Sequence, residues 1–298
     1  MGKPSLKQQI EQKLREKLSL GTKKRDSKGK DIIRSRVTLL NYLRECLQFA
    51  RYIRAKYPDR GINTLEKLWA YVEEYLTRKK PNGKEYSAWT ICLRRAAIAK
   101  LYGVSCQDVM KNAPKRLRKN IKRSRWMDAA PVPPVEDQPP YEALGRGAGL
   151  RRADFSRVRK EDITKNEEHV LVFIDKGKGG KERRIVVVLP EYADRVLLLA
   201  EETEPGERVI PKGTVPLSFP SHACRRYYAN TMYHLLARPI AQLERKDKYF
   251  CRGDRKGIVL DRYAMKLTSR YLGHGSYNPK TGKWRDRISV ISVSYLSF

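Results

Sequence analysis

Five prolines fall within the thirteen-residue stretch DAAPVPPVEDQPP, Asp128 to Pro140, near the middle of the chain. Proline fixes its backbone φ and has no amide hydrogen to donate, so neither a helix interior nor a central strand can run through such a stretch. Pro-rich segments are typical of extended spacers. We therefore predict a linker here, and a chain of 298 residues is long enough for a domain on each side of it.

Before the linker, apolar residues recur at steps of three and four, as in Leu40, Leu43 and Leu47. This spacing places them on one face of a helix. The same reading predicts helices over residues 33–57, 64–78 and 87–102. We expect an all-helical domain over 31–113, preceded by a basic arm over 1–30 with a short helix from Leu6 to Leu20, and followed by a basic and Pro-rich linker over 114–140.

After the linker, the pattern is mixed. Two β-rich runs, His169–Ile174 and Arg184–Pro190, flank the turn DKGKGGKE, which predicts a β-hairpin. Apolar patterning predicts helices over 221–236 and 261–272 and a terminal helix from Ile288, with GHGSYNPKTGKW as a loop. Residues 141–298 are thus expected to be mainly α with a small sheet, an α+β domain.

The net charge of +31 indicates the class of molecule that the protein binds. A chain so positive is expected to bind a polyanion, by default nucleic acid, with a strong dependence on salt. The sequence contains no apolar run of 18 or more residues, so no membrane span is predicted, and the N-terminal sequence does not resemble a signal peptide. The five cysteines form no C-x-x-C pair, which argues against a zinc site. We expect a cytoplasmic protein, in the compartment that holds DNA.

The acid-free segment KRLRKNIKRSR lies between the two predicted domains. Such a run is usually a solvated or disordered stretch, but beside DNA it suits contact with backbone phosphates. We predict DNA contacts here and on the hairpin, from Lys115, Arg116, Arg118, Lys119, Lys122, Arg123, Lys181 and Arg183.

Five short motifs follow one another in the second domain. Arg151 follows a Gly-Leu bend in GAGLRRADF, and Lys178 lies in the hairpin turn. His222 and Arg225 share a helix face at i, i+3 in SHACRRYYAN. His274 follows Gly273 in RYLGHG, and Tyr295 lies near the end of RISVISVSYLSF. Taken singly, each has an ordinary structural explanation: a turn, a surface pair, a capping histidine or a packed tyrosine.

In this order, the motifs resemble those of the tyrosine recombinase (phage integrase) family, of the form G-L-R-x-x-E, G-K-G-x-K-x-R, H-x-L-R and L-G-H before a C-terminal tyrosine. The resemblance covers the second domain from end to end, and the helical unit is similar to that family's core-binding domain. It implies the catalytic set Arg151, Lys178, His222, Arg225, His274 and Tyr295, with Asp154 at the family's acidic position.

The resemblance implies site-specific DNA recombination, the integration or excision of a mobile element, through a 3′-phosphotyrosyl intermediate. The implied enzyme needs no metal, ATP or other cofactor. It closes two domains around duplex DNA as a clamp. It is a monomer when free and a homotetramer on two DNA sites, aided by accessory DNA-bending factors, in the nucleoid of a prokaryotic, phage or mobile-element host.

The sequence departs from the family pattern in its spacing. Tyr295 follows His274 by 21 residues, where the family places the tyrosine about nine residues on, and Tyr277 lies only three residues past His274. We favour Tyr295 because its segment looks like the family's terminal stretch. The stretch Arg238–Asp261 is also longer than in the family. Three residues after Tyr295 cannot form a tail that docks on a neighbour, so either the chain is shortened or another segment makes that contact.

Two other functions remain open from the sequence. A type IB topoisomerase relaxes DNA by similar chemistry, although LGHG and GKGGKER look more like a recombinase. A non-catalytic DNA-binding protein, such as a regulator or a decayed recombinase, is the second alternative. The intact motif set argues against decay.

Overall fold

The computed structural model describes residues 3–22, 31–117, 133–175, 183–278 and 281–296. The chain divides into two compact units, Met1–Leu117 and Arg118–Phe298. Mixed α and small antiparallel β structure places the protein in the α+β class, as the sequence predicts. In the described residues of the first unit, the regular elements are helices, and the β structure is limited to one isolated bridge between Leu18 and Ile33.

The described residues of the first unit form six α-helices: α1 (Leu6–Glu16), α2 (Arg36–Lys56), α3 (Leu65–Trp69), α4 (Val72–Thr77), α5 (Ala88–Tyr102) and α6 (Cys106–Val109). The long helices α2 and α5 pack against each other. Serine side chains cap both: Ser35 accepts from the Thr38 amide and Ser87 from the Thr90 amide, which satisfies amides that a helix start leaves unpaired.

Two details of the first unit differ from the sequence prediction. Helix α1 is not a detached arm, because Leu6, Ile10 and Leu14 are buried in the core of the unit. Its first turn is fixed by a capping box between Ser5 and Gln8. The helix predicted over 64–78 is two short helices, because the chain turns between α3 and α4.

In the part of the second unit that the structure describes, there are six α-helices: α7 (Pro140–Gly147), α8 (Arg152–Phe155), α9 (Ala193–Glu201), α10 (Ser221–Leu236), α11 (Arg262–Tyr271) and α12 (Ile288–Ser294). The last residue of the predicted linker, Pro140, is the first residue of α7, a position that suits proline because its missing amide hydrogen would have no partner there. The predicted helix over 221–236 is confirmed, and those over 261–272 and from Ile288 are confirmed to within a residue or two.

Among its described residues, the second unit has seven short strands in three antiparallel sheets: β1 (Ile163–Lys165), β2 (Val170–Ile174), β3 (Arg183–Val187), β4 (Lys248–Phe250), β5 (Val259–Asp261), β6 (Ser276–Asn278) and β7 (Lys283–Arg285). The predicted pairing of β2 with β3 is confirmed, with a bulge between Val172 and Ile174. Strand β1, which the sequence did not predict, pairs with β2.

The segment GHGSYNPKTGKW, predicted to be a loop, contains β6 and the first two residues of its partner β7. The stretch that follows α10 likewise contains the pair β4 and β5. A single core holds the second unit together. It includes Leu144 of α7, Val172 of β2, Tyr228 of α10, Met265 of α11 and Ile291 of α12. Helices from both ends of the unit therefore meet around one apolar centre.

Candidate functional site

Tyr295 lies directly after α12, at its C-terminal cap, and its amide still donates to the Ile291 carbonyl at 3.1 Å. The side chain is only 7% exposed. Ile291 and Leu296 are fully buried beside it, so apolar packing fixes the segment in the core. The neighbours of Tyr295 thus pack in the core, and this packing holds the tyrosine in place.

The hydroxyl of Tyr295 has two partners, one in α10 and one just past the end of α11. Nε of Arg225 donates to it at 3.0 Å, and Nε2 of His274 lies 3.0 Å from it. The rings of His274 and Tyr295 also contact each other, with centroids 5.5 Å apart. A buried tyrosine hydroxyl needs a hydrogen-bond partner, but two cationic or titratable partners are more than packing requires.

Arg225 lies in α10 and is 1% exposed. Its two terminal nitrogens donate to the backbone carbonyls of Gly149 and Leu272, and one of them lies 3.5 Å from Nε2 of His274. Burial lowers the pKa of the Arg225 guanidinium; the Tyr295 oxygen opposes this shift and Arg151 adds to it. The group is therefore a positive charge held in the core by carbonyl oxygens and one hydroxyl.

Arg151 is the N-terminal cap residue of α8. Its backbone amide donates to Asp154 Oδ2 at 3.1 Å, and Asp154 is 1% exposed. The Arg151 guanidinium donates to the Leu272 carbonyl at 3.3 Å. That carbonyl accepts from Arg225 too, so one backbone oxygen brings the two guanidinium groups together. Leu272 caps the C-terminus of α11, where the helix dipole favours cations.

Gly149 is required for this geometry. Its φ is +57°, and a Cβ at this position would lie 2.6 Å from Cδ1 of Tyr228. Any other residue would combine left-handed strain with a collision against a fully buried ring. The glycine lets its carbonyl reach Arg225 from the bend before Arg151.

His274 is positioned by the end of α11. Gly273 adopts φ +65° just past the helix, its amide donates to the Arg270 carbonyl at 2.8 Å, and the His274 amide donates to the Ser269 carbonyl at 2.8 Å. This is the Schellman arrangement, in which a glycine reverses the chain after a helix. The Leu-Gly-His sequence thus turns the chain so that the imidazole reaches the Tyr295 hydroxyl.

The structure brings Arg151, Arg225, His274 and Tyr295 together. His222 lies in the first turn of α10, three residues before Arg225, with an exposed side chain. Lys178 lies outside the described residues. Of the predicted DNA contacts, Lys115 and Arg116 are exposed, whereas the side chain of Arg183 and the residues Arg118, Lys119, Lys122, Arg123 and Lys181 lie outside the described part.

Three further residues hold the tyrosine segment, and the sequence prediction missed them. The Tyr295 carbonyl accepts from Nε of Arg226 at 3.2 Å and from Nδ2 of Asn230 at 2.8 Å. Arg255 donates to the carbonyls of Ser292 at 2.6 Å and Leu296 at 2.7 Å. A helix end leaves carbonyls without intrahelical partners, and these side chains bond one carbonyl of α12 and two just after it.

Arg226 and Asn230 are four positions apart in α10, so their spacing places them on one face of that helix. No sequence pattern marks Arg255. Tyr277, the other candidate nucleophile, is in β6 and is 47% exposed, with its ring 5.5 Å from that of Trp284. It is not among the partners described for Arg225, and its setting is a surface hairpin.

Chemically, the cluster offers one hydroxyl, two guanidinium groups and an imidazole. Guanidinium groups bind the oxygens of phosphates and carboxylates bidentately. An imidazole nitrogen within hydrogen-bond reach of a hydroxyl can take its proton. The arrangement therefore suits an attack by the Tyr295 oxygen on an anionic centre.

Within the described ranges, no helix is both long and apolar enough to cross a membrane. Among the same residues, His, Cys, Asp and Glu form no group of three or more that could hold a metal ion. No protein-family model matches this chain, and neither does any curated protein with which it was compared.

Proposed function

We propose that this protein cuts and rejoins DNA strands through Tyr295 and so carries out site-specific recombination, the integration or excision of a mobile element. One observation carries the proposal: the Tyr295 hydroxyl lies 3.0 Å from both Arg225 Nε and His274 Nε2. The order of motifs and their resemblance to tyrosine recombinases support the same conclusion.

In the proposed step, the Tyr295 oxygen attacks the phosphorus of a DNA phosphodiester. A bond forms between this oxygen and phosphorus, and the bond to the 5′ oxygen breaks. His274 Nε2 takes the tyrosyl proton, which requires the tautomer that carries its hydrogen on Nδ1. Lys178 gives a proton to the departing 5′ oxygen. The products are a 3′-phosphotyrosyl link and a free 5′ hydroxyl.

Arg225 lowers the energy of this step by donating to the attacking oxygen as negative charge develops there. A guanidinium has five N–H donors. Arg225 uses one from each of its three nitrogens, to bond the Tyr295 hydroxyl and the carbonyls of Gly149 and Leu272. The donors that remain on Arg225 and Arg151 bond the non-bridging oxygens of the phosphate. Preorganised donors in a buried site stabilise a transition state more than donors in water do.

The reaction is reversible because the phosphotyrosyl link keeps the energy of the broken bond. A 5′ hydroxyl from a second strand attacks the link, restores the tyrosine and completes the exchange. By resemblance, four copies act on two DNA sites in the nucleoid, each gripping the duplex with both units as a clamp, with accessory bending factors. The charge of +31 supports duplex DNA as the partner.

The test is covalent trapping on a pool of nicked duplexes with randomised sequence around the nick. Cleavage close to the nick releases a short strand that carries the free 5′ hydroxyl. Without this hydroxyl the phosphotyrosyl link cannot be reversed. Wild-type protein is expected to form an adduct that survives denaturation and is destroyed by protease, and Tyr295→Phe to form none. Equal trapping by both would overturn the proposal. Relaxation of plasmids without regard to sequence would favour a topoisomerase.

A further inference from the structure

Strands β6 and β7 form a hairpin between His274 and Tyr295, where the resemblance leads us to expect only a short connection. Its base is fixed to α11 by a bidentate ion pair: Arg270 donates to the two carboxylate oxygens of Asp286 at 3.0 and 2.9 Å. A Cβ on Gly275 would lie 3.0 Å from Asp286 Oδ1 and 3.3 Å from Trp284. The base is therefore packed too closely to be a loose loop.

The hairpin has two different faces. Tyr277 and Trp284 are cross-strand partners with ring centroids 5.5 Å apart, and the Arg270 guanidinium lies 4.9 Å from the Trp284 ring. Successive residues of a strand point to opposite faces. Lys283 and Arg285, on either side of Trp284, therefore lie on the other face, and both are exposed.

This second face is strongly cationic. Lys283, Arg285 and Arg287 are all exposed, and no carboxylate in the described part of the chain is recorded within 4.0 Å of any of them. Asp286 is the only acidic residue in 281–296, and Arg270 already neutralises it. The positive potential of exposed cations that lack acidic neighbours is not cancelled within the protein, so it attracts a polyanion from outside.

The hairpin also lies close enough to Tyr295 for its cations to contact the same stretch of DNA. Strand β6 begins two residues after His274, a span of at most about 7 Å. Three residues of strand add about 10 Å. Each strand of duplex DNA carries one phosphate per about 3.4 Å of helix axis. The cations thus reach phosphates within about five base pairs of the one attacked by Tyr295.

We infer that the β6–β7 hairpin is a duplex DNA contact surface, whose outward cations Lys283 and Arg285 bond backbone phosphates beside the cleaved one. The inference rests on the proposed function, because the hairpin serves the same DNA. Arg270 links this surface to the site: its side chain anchors the hairpin, and its carbonyl accepts from Gly273, next to His274.

The test compares Lys283→Gln/Arg285→Gln with the matched pair Lys165→Gln/Lys212→Gln, which removes two exposed charges elsewhere in the second unit. The probe is a short fluorescent duplex of mixed sequence, titrated at several salt concentrations. Each lost phosphate contact makes the plot of log K against log salt shallower by about 0.9. We expect the hairpin variant to lose about 1–2 units of slope and the matched pair clearly less.

The outcomes separate the two proposals. Equal slopes for wild type and hairpin variant, with wild type still forming the tyrosine adduct, overturn the hairpin inference alone. A hairpin-dependent slope without any adduct overturns the proposed function alone. If the slope is unchanged but the variant loses concentration-dependent self-association in sedimentation, the face is an interface between copies of the chain and the inference is wrong.

Discussion

The hydroxyl of Tyr295 and Nε2 of His274 lie 3.0 Å apart, although the two residues are 21 positions apart in the chain. The β6–β7 hairpin, residues 276–285, accounts for half of the residues between them, and it folds back on itself because its strands pair antiparallel. A long insertion can therefore stand between two site residues without moving them apart, provided that its ends are fixed. Here the Arg270–Asp286 ion pair fixes them.

Removing the Tyr295 hydroxyl is expected to destabilise the protein as well as abolish the adduct. Tyr295→Phe leaves the buried Nε of Arg225 without its acceptor, which costs about 1–3 kcal/mol. Urea unfolding measures the loss. The control Tyr277→Phe, at an exposed side chain, is expected to change stability by less than about 0.5 kcal/mol. Equal effects would mean that the Arg225 contact contributes nothing.

A methyl group at Gly149 is expected to disturb the site. Gly149→Ala forces a Cβ against Tyr228 and shifts the carbonyl that Arg225 uses, at a cost of about 2–4 kcal/mol from strain and overpacking. Gly206→Ala is the matched control, since φ is +80° there and nothing lies within 4 Å of the new Cβ. It is expected to cost about 1 kcal/mol and leave adduct formation unchanged.

Asn230 is expected to act as a positioning residue. Asn230→Ala removes one of the two donors to the Tyr295 carbonyl, so the tyrosine segment loses part of its support. The single-turnover rate of adduct formation should fall about tenfold, as a loss of about 1.4 kcal/mol implies, while the affinity for duplex DNA is unchanged. A fall in affinity with an unchanged rate would place Asn230 in DNA binding instead.

Stability in acid is expected to depend on Asp261. Burial raises the pKa of this carboxyl, but hydrogen bonds from the side chain and backbone of Arg238 and from the Tyr263 amide outweigh it, and the pKa falls to about 2 from 3.8. The stabilisation is therefore complete above about pH 4 and is lost as the pH falls toward 2.

Protonation of Asp261 is expected to lower the free energy of unfolding by about 1–2 kcal/mol. The value is modest because Arg238 is half-exposed, and solvent screens its ion pair with Asp261. Urea midpoints of wild type and Asp261→Asn between pH 2 and 7 measure it. Asparagine still caps α11 but does not titrate. The difference between the urea midpoints of the two proteins should become smaller below pH 4. A difference that stays constant with pH would show that Asp261 does not titrate in this window.

Sequence patterning predicted the elements whose signals are local. The helix over 221–236 was correct because its apolar residues recur with helical spacing, and β2 and β3 because their β-branched runs flank a glycine turn. The hairpin of β6 and β7 was missed because its strands have three residues each and polar or charged neighbours. What makes it a hairpin is tertiary, the anchoring of Asp286 by Arg270.

Four side chains of the cluster were predicted from the sequence, and the backbone contacts that hold them were not. Arg151, Arg225, His274 and Tyr295 follow from motifs, and the structure brings them together. The carbonyls of Gly149 and Leu272, which hold both arginines, carry no side-chain signal. Nor does Arg255, whose bonds to the end of α12 exist only after the chain has folded.

The central claim, that Tyr295 is the nucleophile, is tested most directly by locating the covalent link. Adducts trapped on the nicked duplex pool would be digested with protease and nuclease, and the peptide that carries a nucleotide identified by mass spectrometry. We predict that the modified residue is Tyr295, joined to a 3′ phosphate. A nucleotide on Tyr277, or on any other residue, would contradict the account.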